Sequence, residues 1–293
     1  IPHRVRYIDN EPFVEFLTLH DNSLSKPVAY MDMANFKTES LVPLNQFETK
    51  DRDPTGFIFH MSRCGSTMTS NVLKACEECV VFSEPNILAD ILMPPCRVDS
   101  AVTAARLRLV VDLHGQAFPD KKIIVKWLSW LSTKIDIIQA SFPHTPSIFL
   151  MRDPVEVIVS VLKDHPGWMK LIRLSAEIDA KAPEKGTPEF CSLVLRQFCK
   201  SIYEAPMPVR AIDYAALPEA IWNDICPYFG IEVDGGTRQS MIERSRFDIR
   251  DDRLKTFFVP DSEQKQAEAS DRIRELAEKY VAPALDRVQQ RGG

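Results

Sequence analysis

The chain has 293 residues, of which 45% are hydrophobic, 26% charged and 9% aromatic, the profile of a globular protein long enough to bury a large core. Its net charge of −5 excludes a general attraction to nucleic acid or anionic membrane, so an anionic ligand needs a local basic pocket. No apolar run approaches the ~20 residues of a membrane span. The chain starts at Ile1 rather than Met, which leaves an upstream signal or anchor open.

Residues 1–54 differ from the rest. Short β-favouring runs at 5–8 and 13–19 are broken by polar turns, and a charged, proline-containing linker at 48–54 closes the segment. It reads as a small N-terminal β-rich extension, with an α/β domain over 55–293. From Gly56 onward apolar strands alternate with helical patterns. A buried strand at 56–61 leads through a turn into a helix from about Ser66 to Cys76. A second strand covers 79–83. Asp99 is placed to cap a long amphipathic helix to about Phe118. A third strand spans 122–127, followed by a helix near 133–141. The fourth, 147–151, runs into Asp153-Pro154 and a helix to Leu162, where proline's fixed φ and missing N–H suit a first turn. Further on, 189–204 reads as helix, 209–212 as a short strand, and 262–290 as one long charged helix. This alternation predicts an α/β fold, a parallel sheet with helices on both faces. Ligands of such sheets lie at the carboxyl ends of the strands.

The seven cysteines, Cys64, Cys76, Cys79, Cys96, Cys191, Cys199 and Cys226, lack the spacing of a disulfide framework. They favour a reducing compartment, and a cytoplasmic location is expected. Cys76 and Cys79 form a lone C-x-x-C. A zinc site needs a second pair at suitable spacing and none follows, so the two read as thiols packed beside the sheet.

The first strand runs into Ser62-Arg63-Cys64-Gly65-Ser66-Thr67-Met68 and then a helix. Such a turn points several backbone N–H groups at one spot, and the helix dipole favours an anion there. Gly65 permits close approach, Ser66 and Thr67 add hydroxyls, and Arg63 adds a forked permanent charge. A Walker A loop would be G-x-x-x-x-G-K-[ST]. Here its first glycine is His60 and its lysine is Ser66, which argues against a magnesium nucleotide triphosphate.

This segment resembles the sulfotransferase superfamily, whose loop has the form P-[KR]-[SAC]-G-[ST]-T, with serine here for proline and arginine for lysine. A second string, Leu150-Met151-Arg152-Asp153-Pro154 continuing to Ser160, is similar to that family's strand-end Arg followed eight residues later by Ser. The resemblance implies a P-loop fold that binds 3′-phosphoadenosine 5′-phosphosulfate (PAPS). Arg63, Cys64, Gly65, Ser66, Thr67 and Met68 would bind the donor, the amides from Gly65 to Met68 holding its 5′-phosphate, and Arg152 and Ser160 would bind the 3′-phosphate. Lys126, in Val125-Lys126-Trp127-Leu128, matches the lysine of the family's K-T-H strand end. The family's histidine base is replaced by Leu128.

Glu84, which ends the neighbouring strand on the same rim, is the replacement base, with His114 as the second candidate. Arg63 and Lys126 would neutralise charge on the sulfuryl group. The family's late R-K-G-x-x-G loop is missing, and Arg244, Arg246, Arg250, Arg253 and Lys265 are candidate substitutes. No metal is expected, since the donor carries no polyphosphate and no ligand cluster is visible. The expected partner is a small-molecule acceptor hydroxyl or amine, with Trp127, Trp130, His165 and Trp168 as candidate pocket residues and 164–188 as a candidate lid. The rival readings are a P-loop kinase or nucleotide hydrolase and a non-catalytic nucleotide-binding scaffold.

Overall fold

The computed structural model describes residues 1–16, 40–170, 183–247, 256–257 and 259–292. Five parallel strands form the central sheet: β4 (Gly56–His60), β5 (Cys79–Ser83), β6 (Lys122–Lys126), β7 (Ser147–Met151) and β8 (Arg210–Asp213). Their spatial order is β5-β6-β4-β7-β8. Every residue of β4 and β7 is buried, as expected of strands covered on both faces. Upstream, β1 (Pro2–Ile8), β2 (Glu11–Phe16) and β3 (Ser40–Pro43) make an antiparallel three-stranded sheet. Its Val5 and Val14 join the main core cluster. The expected strand at 13–19 is β2 as far as Phe16, and residues 17–19 lie outside the described residues.

Ten helices carry the connections among the described residues: α1 (Ser66–Leu73), α2 (Asn86–Leu92), α3 (Ser100–Gln116), α4 (Ile135–Ser141), α5 (Pro154–Lys163), α6 (Pro188–Tyr203), α7 (Gly235–Ser245), α8 (Ser262–Glu268), α9 (Asp271–Leu276) and α10 (Ala282–Gly292). Between β8 and α7 lies a further helical turn over 221–228. The step from β4 to β5 crosses the sheet one way, whereas those from β5 to β6, β6 to β7 and β7 to β8 cross it the other way. With right-handed crossovers, α1 therefore falls on the opposite face from α3, α4 and α6. The contacts agree, since α1 packs on α7 while α3 packs on α4.

Two helices went unanticipated. Helix α2 is a short apolar run directly after Pro85, and α7 is largely polar, so neither shows a strong period. The expected single helix over 262–290 is interrupted. Ala269 is extended, and the Ser270 hydroxyl accepts from the Ile273 N–H, so a new helix starts there. Asp99 caps α3 as expected, its carboxylate accepting from the Ala101 N–H.

The strand order reverses around β4, whose neighbours β6 and β7 lead off in different directions. A crevice opens at the carboxyl ends of the strands at such a point. The turn 61–65, Glu84 after β5, Trp127 after β6 and Arg152 after β7 all lie on that rim.

Candidate active site

Half of the ten helices carry a side-chain cap, α9 through Ser270. Asp99, Asp153, Thr187 and Asp234 accept from first-turn amides of α3, α5, α6 and α7. Helix α1 does not, because its N-cap is Gly65, which has no side chain to offer. The first-turn N–H groups of any helix lack intrahelical partners, so this end keeps donors of the kind that can take an anion. Gly65 sits at φ +79°, and an added Cβ would lie 2.8 Å from Leu217 Cδ1 and 2.9 Å from Tyr214 Cδ2. Glycine is therefore required both by conformation and by close approach.

The turn before it is strained. Ser62 and Arg63 adopt φ of +78° and +50°, and non-glycine residues held in this region cluster at functional sites. The geometry also accounts for one departure from the resembling loops. Proline, with φ fixed near −65°, is excluded at Ser62. Ser62 donates its N–H to His60 Nδ1 at 3.2 Å, and His60 Nε2 lies 3.0 Å from the Trp127 carbonyl. Nδ1 therefore accepts and Nε2 donates, which fixes a neutral tautomer. Burial first of all holds the His60 pKa down.

A buried charged cluster lies beside the loop. The Lys126 ammonium, 2% exposed, donates to Glu84 Oε1 at 2.6 Å and to Thr67 Oγ1 at 3.4 Å. His60 Nε2 is 3.4 Å from the same Glu84 oxygen. Glu84 has φ +56° and donates its backbone N–H to the Lys126 carbonyl, so the carboxylate is held by its backbone as well as by its charge. Burial pushes the Glu84 pKa up, but Lys126 and His60 outweigh it and hold the carboxylate ionised, well below its ordinary range. Glu84, Lys126 and Thr67 thus meet as their positions in the sequence suggested. His60 was not anticipated. Its signal was its position at the end of the first strand, where it reads as a replaced glycine.

The second candidate base does not belong to this cluster. His114 is buried, with Nδ1 on the Val110 carbonyl at 2.8 Å and its ring edge-on to Phe82. Burial pushes its pKa down to about 4. Cys64 is likewise enclosed, its Sγ donating to the Leu150 carbonyl at 3.1 Å, and burial pushes its thiol up to about 12. It shapes the loop from inside. Ser66 and Met68 are also buried in the turn.

Arg63 reaches the other way. Its Nη2 bonds both the carboxylate and the carbonyl of Asp164 at 2.5 Å, while its Nε is buried without a partner among the described residues. Arg152 is 5% exposed and fully engaged. Nε donates to Glu156 at 2.6 Å, Nη2 to Asp261 at 2.8 Å and to Ser262 at 3.2 Å, and the guanidinium lies 4.0 Å over the Tyr214 ring. Asp153 fills the start of α5. The anion-binding capacity expected at this second strand end is therefore met internally, by Glu156 and Asp261. Next to it, Ser160 lines a cavity of about 210 Å³ with Arg63, Lys163, Asp164, Gln264 and Lys265. Lys265 is also paired with Asp261 at 2.8 Å.

The remaining late basic residues disperse. Arg244 donates to Asn71 Oδ1 at 2.8 Å on the α1 face, Arg246 lines a separate cavity of about 440 Å³ with Trp222 and Arg238, and Arg250 and Arg253 lie outside the described residues. Lys74, at the end of α1, was missed; burial first, then Arg244 and Lys126, push its pKa down to about 7. Two of the candidate pocket aromatics are core. Trp127 is stacked on Phe59 and edge-on to Phe57, and Trp168 packs edge-on to Phe198. Trp130 is half-buried and His165 exposed. Of the expected lid, residues 171–182 lie outside the described residues.

No family profile matches this chain, and no curated protein sequence does. Among solved structures it is similar to a sulfotransferase from Alicyclobacillus acidocaldarius, at 14% identity and a TM-score of 0.48, with 82% of this chain and 95% of that one covered. It is similar to the sulfotransferase domain from the curacin biosynthetic pathway, at 13% identity and 0.47, covering 82% and 97%. A mouse sulfotransferase complexed with PAP gives 11% identity and 0.42, covering 98% of both chains. Each of these three solved structures is a sulfotransferase.

Proposed function

We propose that the chain is a sulfotransferase, moving a sulfuryl group from PAPS to a hydroxyl or amine of a small-molecule acceptor. The observation that carries this reading is the Lys126 ammonium shared between Thr67 of the uncapped loop and Glu84. One cation touches both the place where an anionic donor would lie and the carboxylate that would accept a proton. A P-loop kinase or nucleotide hydrolase would want its lysine inside the loop, where Ser66 stands.

In this reading the α1 amides hold the 5′-phosphate, and Arg63 and Lys126 stabilise charge that develops between sulfur and the leaving oxygen. The acceptor attacks in line, as in phosphoryl transfer, where positioning and charge stabilisation dominate. Glu84 held against Lys126 is a weak base. When Lys126 turns toward the sulfuryl oxygens, Glu84 loses its strongest counter-charge and its proton affinity rises just as the acceptor O–H or N–H needs a partner. The base and the electrophile are switched together.

The 3′-phosphate is assigned to Arg152 and Ser160, with Lys163 and Lys265 beside them, once Asp261 yields its place on Arg152. No metal is assigned to the transfer step. The test is transfer of labelled sulfate from PAPS to a panel of hydroxyl and amine acceptors. Glu84→Gln is expected to keep donor affinity and lose about 10²–10⁴ in turnover, the usual worth of a general base. Donor binding with no transfer to any acceptor would instead favour the scaffold reading.

A further inference from the structure

The turn between α1 and β5 lies at the opposite end of β5 from Glu84 and carries donors that the proposed reaction does not use. Its backbone is fixed from several sides. The Cys76 N–H donates to the Leu73 carbonyl at 3.1 Å, Cys79 to Cys76 at 3.0 Å, and Lys122 to Glu78 at 2.7 Å. This brings Cys76 Sγ, Cys79 Sγ and a Glu78 carboxylate oxygen within 4.8 Å of one another. Both cysteines are buried and both are free thiols. Glu78 is half-exposed, so the cluster has a polar mouth.

Sequence spacing supplied no second pair, and Cys226, which is fully buried after the helical turn 221–225 that packs on α1, is not among the donors within 4.8 Å of one another. The nearby cation is Lys122, which donates to Glu78 at 3.2 Å and to the Gly230 carbonyl at 2.8 Å.

We propose that Cys76, Cys79 and Glu78 form a binding site for a thiophilic divalent cation of the zinc type. A tetrahedral ion with Zn–S of about 2.3 Å separates its sulfur ligands by about 3.8 Å, so these three donors, already within 4.8 Å of one another, close onto it by small side-chain rotations. Two thiolates and a carboxylate exceed the charge of one divalent ion, and the Lys122 ammonium offsets part of the excess. The ion would fasten the far end of α1, whose near end is the phosphate loop, to the start of β5, which carries Glu84.

The experiment is titration of the reduced full-length chain with Co²⁺, followed by displacement with Zn²⁺. The expected result is a sulfur-to-cobalt charge-transfer band saturating at one ion per chain and lost on adding Zn²⁺. Cys76→Ser and Cys79→Ser should abolish the band, whereas Cys191→Ser and Cys226→Ser, buried cysteines outside the donor group, should leave it intact. Far-ultraviolet circular dichroism of each variant separates a lost site from a lost fold, and Glu78→Gln, a conservative change in the half-exposed member, should weaken the ion without disturbing the core. No band in the folded wild type, or a band that survives Cys76→Ser, would overturn the assignment. So would an intact mass showing that Cys76 and Cys79 pair as a disulfide in the folded chain under reducing conditions.

Discussion

Lys126 and Glu84 hold each other twice, side chain to side chain at 2.6 Å and Glu84 N–H to Lys126 carbonyl at 2.8 Å. The carboxylate is therefore fixed on the rim even if the ion pair opens. Removing one partner leaves the other buried and uncompensated, which typically costs about 3–5 kcal/mol. Lys126→Met is expected to fall in this range in urea unfolding, somewhat reduced because Glu84 retains partial exposure. The double variant Lys126→Met/Glu84→Gln should recover a large part of the loss. Purely additive effects would show that the pair is not coupled.

Asp261 occupies Arg152 where the 3′-phosphate is assigned. Asp261→Asn removes the competing charge while keeping the shape, and should raise affinity for 3′-phosphorylated nucleotides by about tenfold. A charge-assisted hydrogen bond is worth roughly 1.5–3 kcal/mol, and 1.4 kcal/mol is a factor of ten. Asp261 is 41% exposed, which keeps the gain at the low end. Calorimetry checks it. A drop in affinity would mean that Asp261 orders α8 over the ligand rather than excluding it.

Cys64 is expected to resist alkylation in the folded protein. A place at a helix start beside Arg63 favours a reactive thiolate, but the side chain points into the core and donates to Leu150. Desolvation outweighs the dipole. Half-buried Cys96 should label first in a mass-spectrometric time course, with Cys64 labelled only on unfolding.

His114 is expected to make the protein acid-sensitive. Its folded pKa of about 4 lies below the ordinary value of 6.5, so the unfolded chain takes up a proton first as pH falls. Stability should be unaffected by this group above pH 6.5 and decline between 6.5 and about 4. His114→Leu should flatten that part of the urea-midpoint profile. An unchanged profile would assign the decline to other groups, such as His60, which burial shifts in the same direction.

The central sheet was legible because its strands are apolar runs between turn residues, and β5 and β7 fall where the pattern puts them. The uncapped end of α1 was legible from Gly65, and the meeting of Lys126 with Glu84 from strand-end positions. The partners of Arg152 were not, since Asp261 and Ser262 stand more than 100 residues away and no local pattern encodes such a pairing. Side-chain direction was equally hidden. Trp127 sits at a strand end like Glu84, yet turns inward, because in extended chain neighbouring side chains alternate between faces, and Cys64 turns inward from the left-handed backbone of Ser62 and Arg63.

The most direct measurement is calorimetric titration of the wild-type chain and of Arg152→Ala with 3′-phosphoadenosine 5′-phosphate and with adenosine 5′-phosphate, without added magnesium. The wild type is expected to bind the bisphosphate, and to prefer it over the monophosphate by about tenfold or more, given roughly 1.5–3 kcal/mol for the charged contact. Arg152→Ala should lose that preference while still binding the 5′-phosphate. Equal affinity of the wild type for both nucleotides, or binding that appears only with magnesium, would contradict the account.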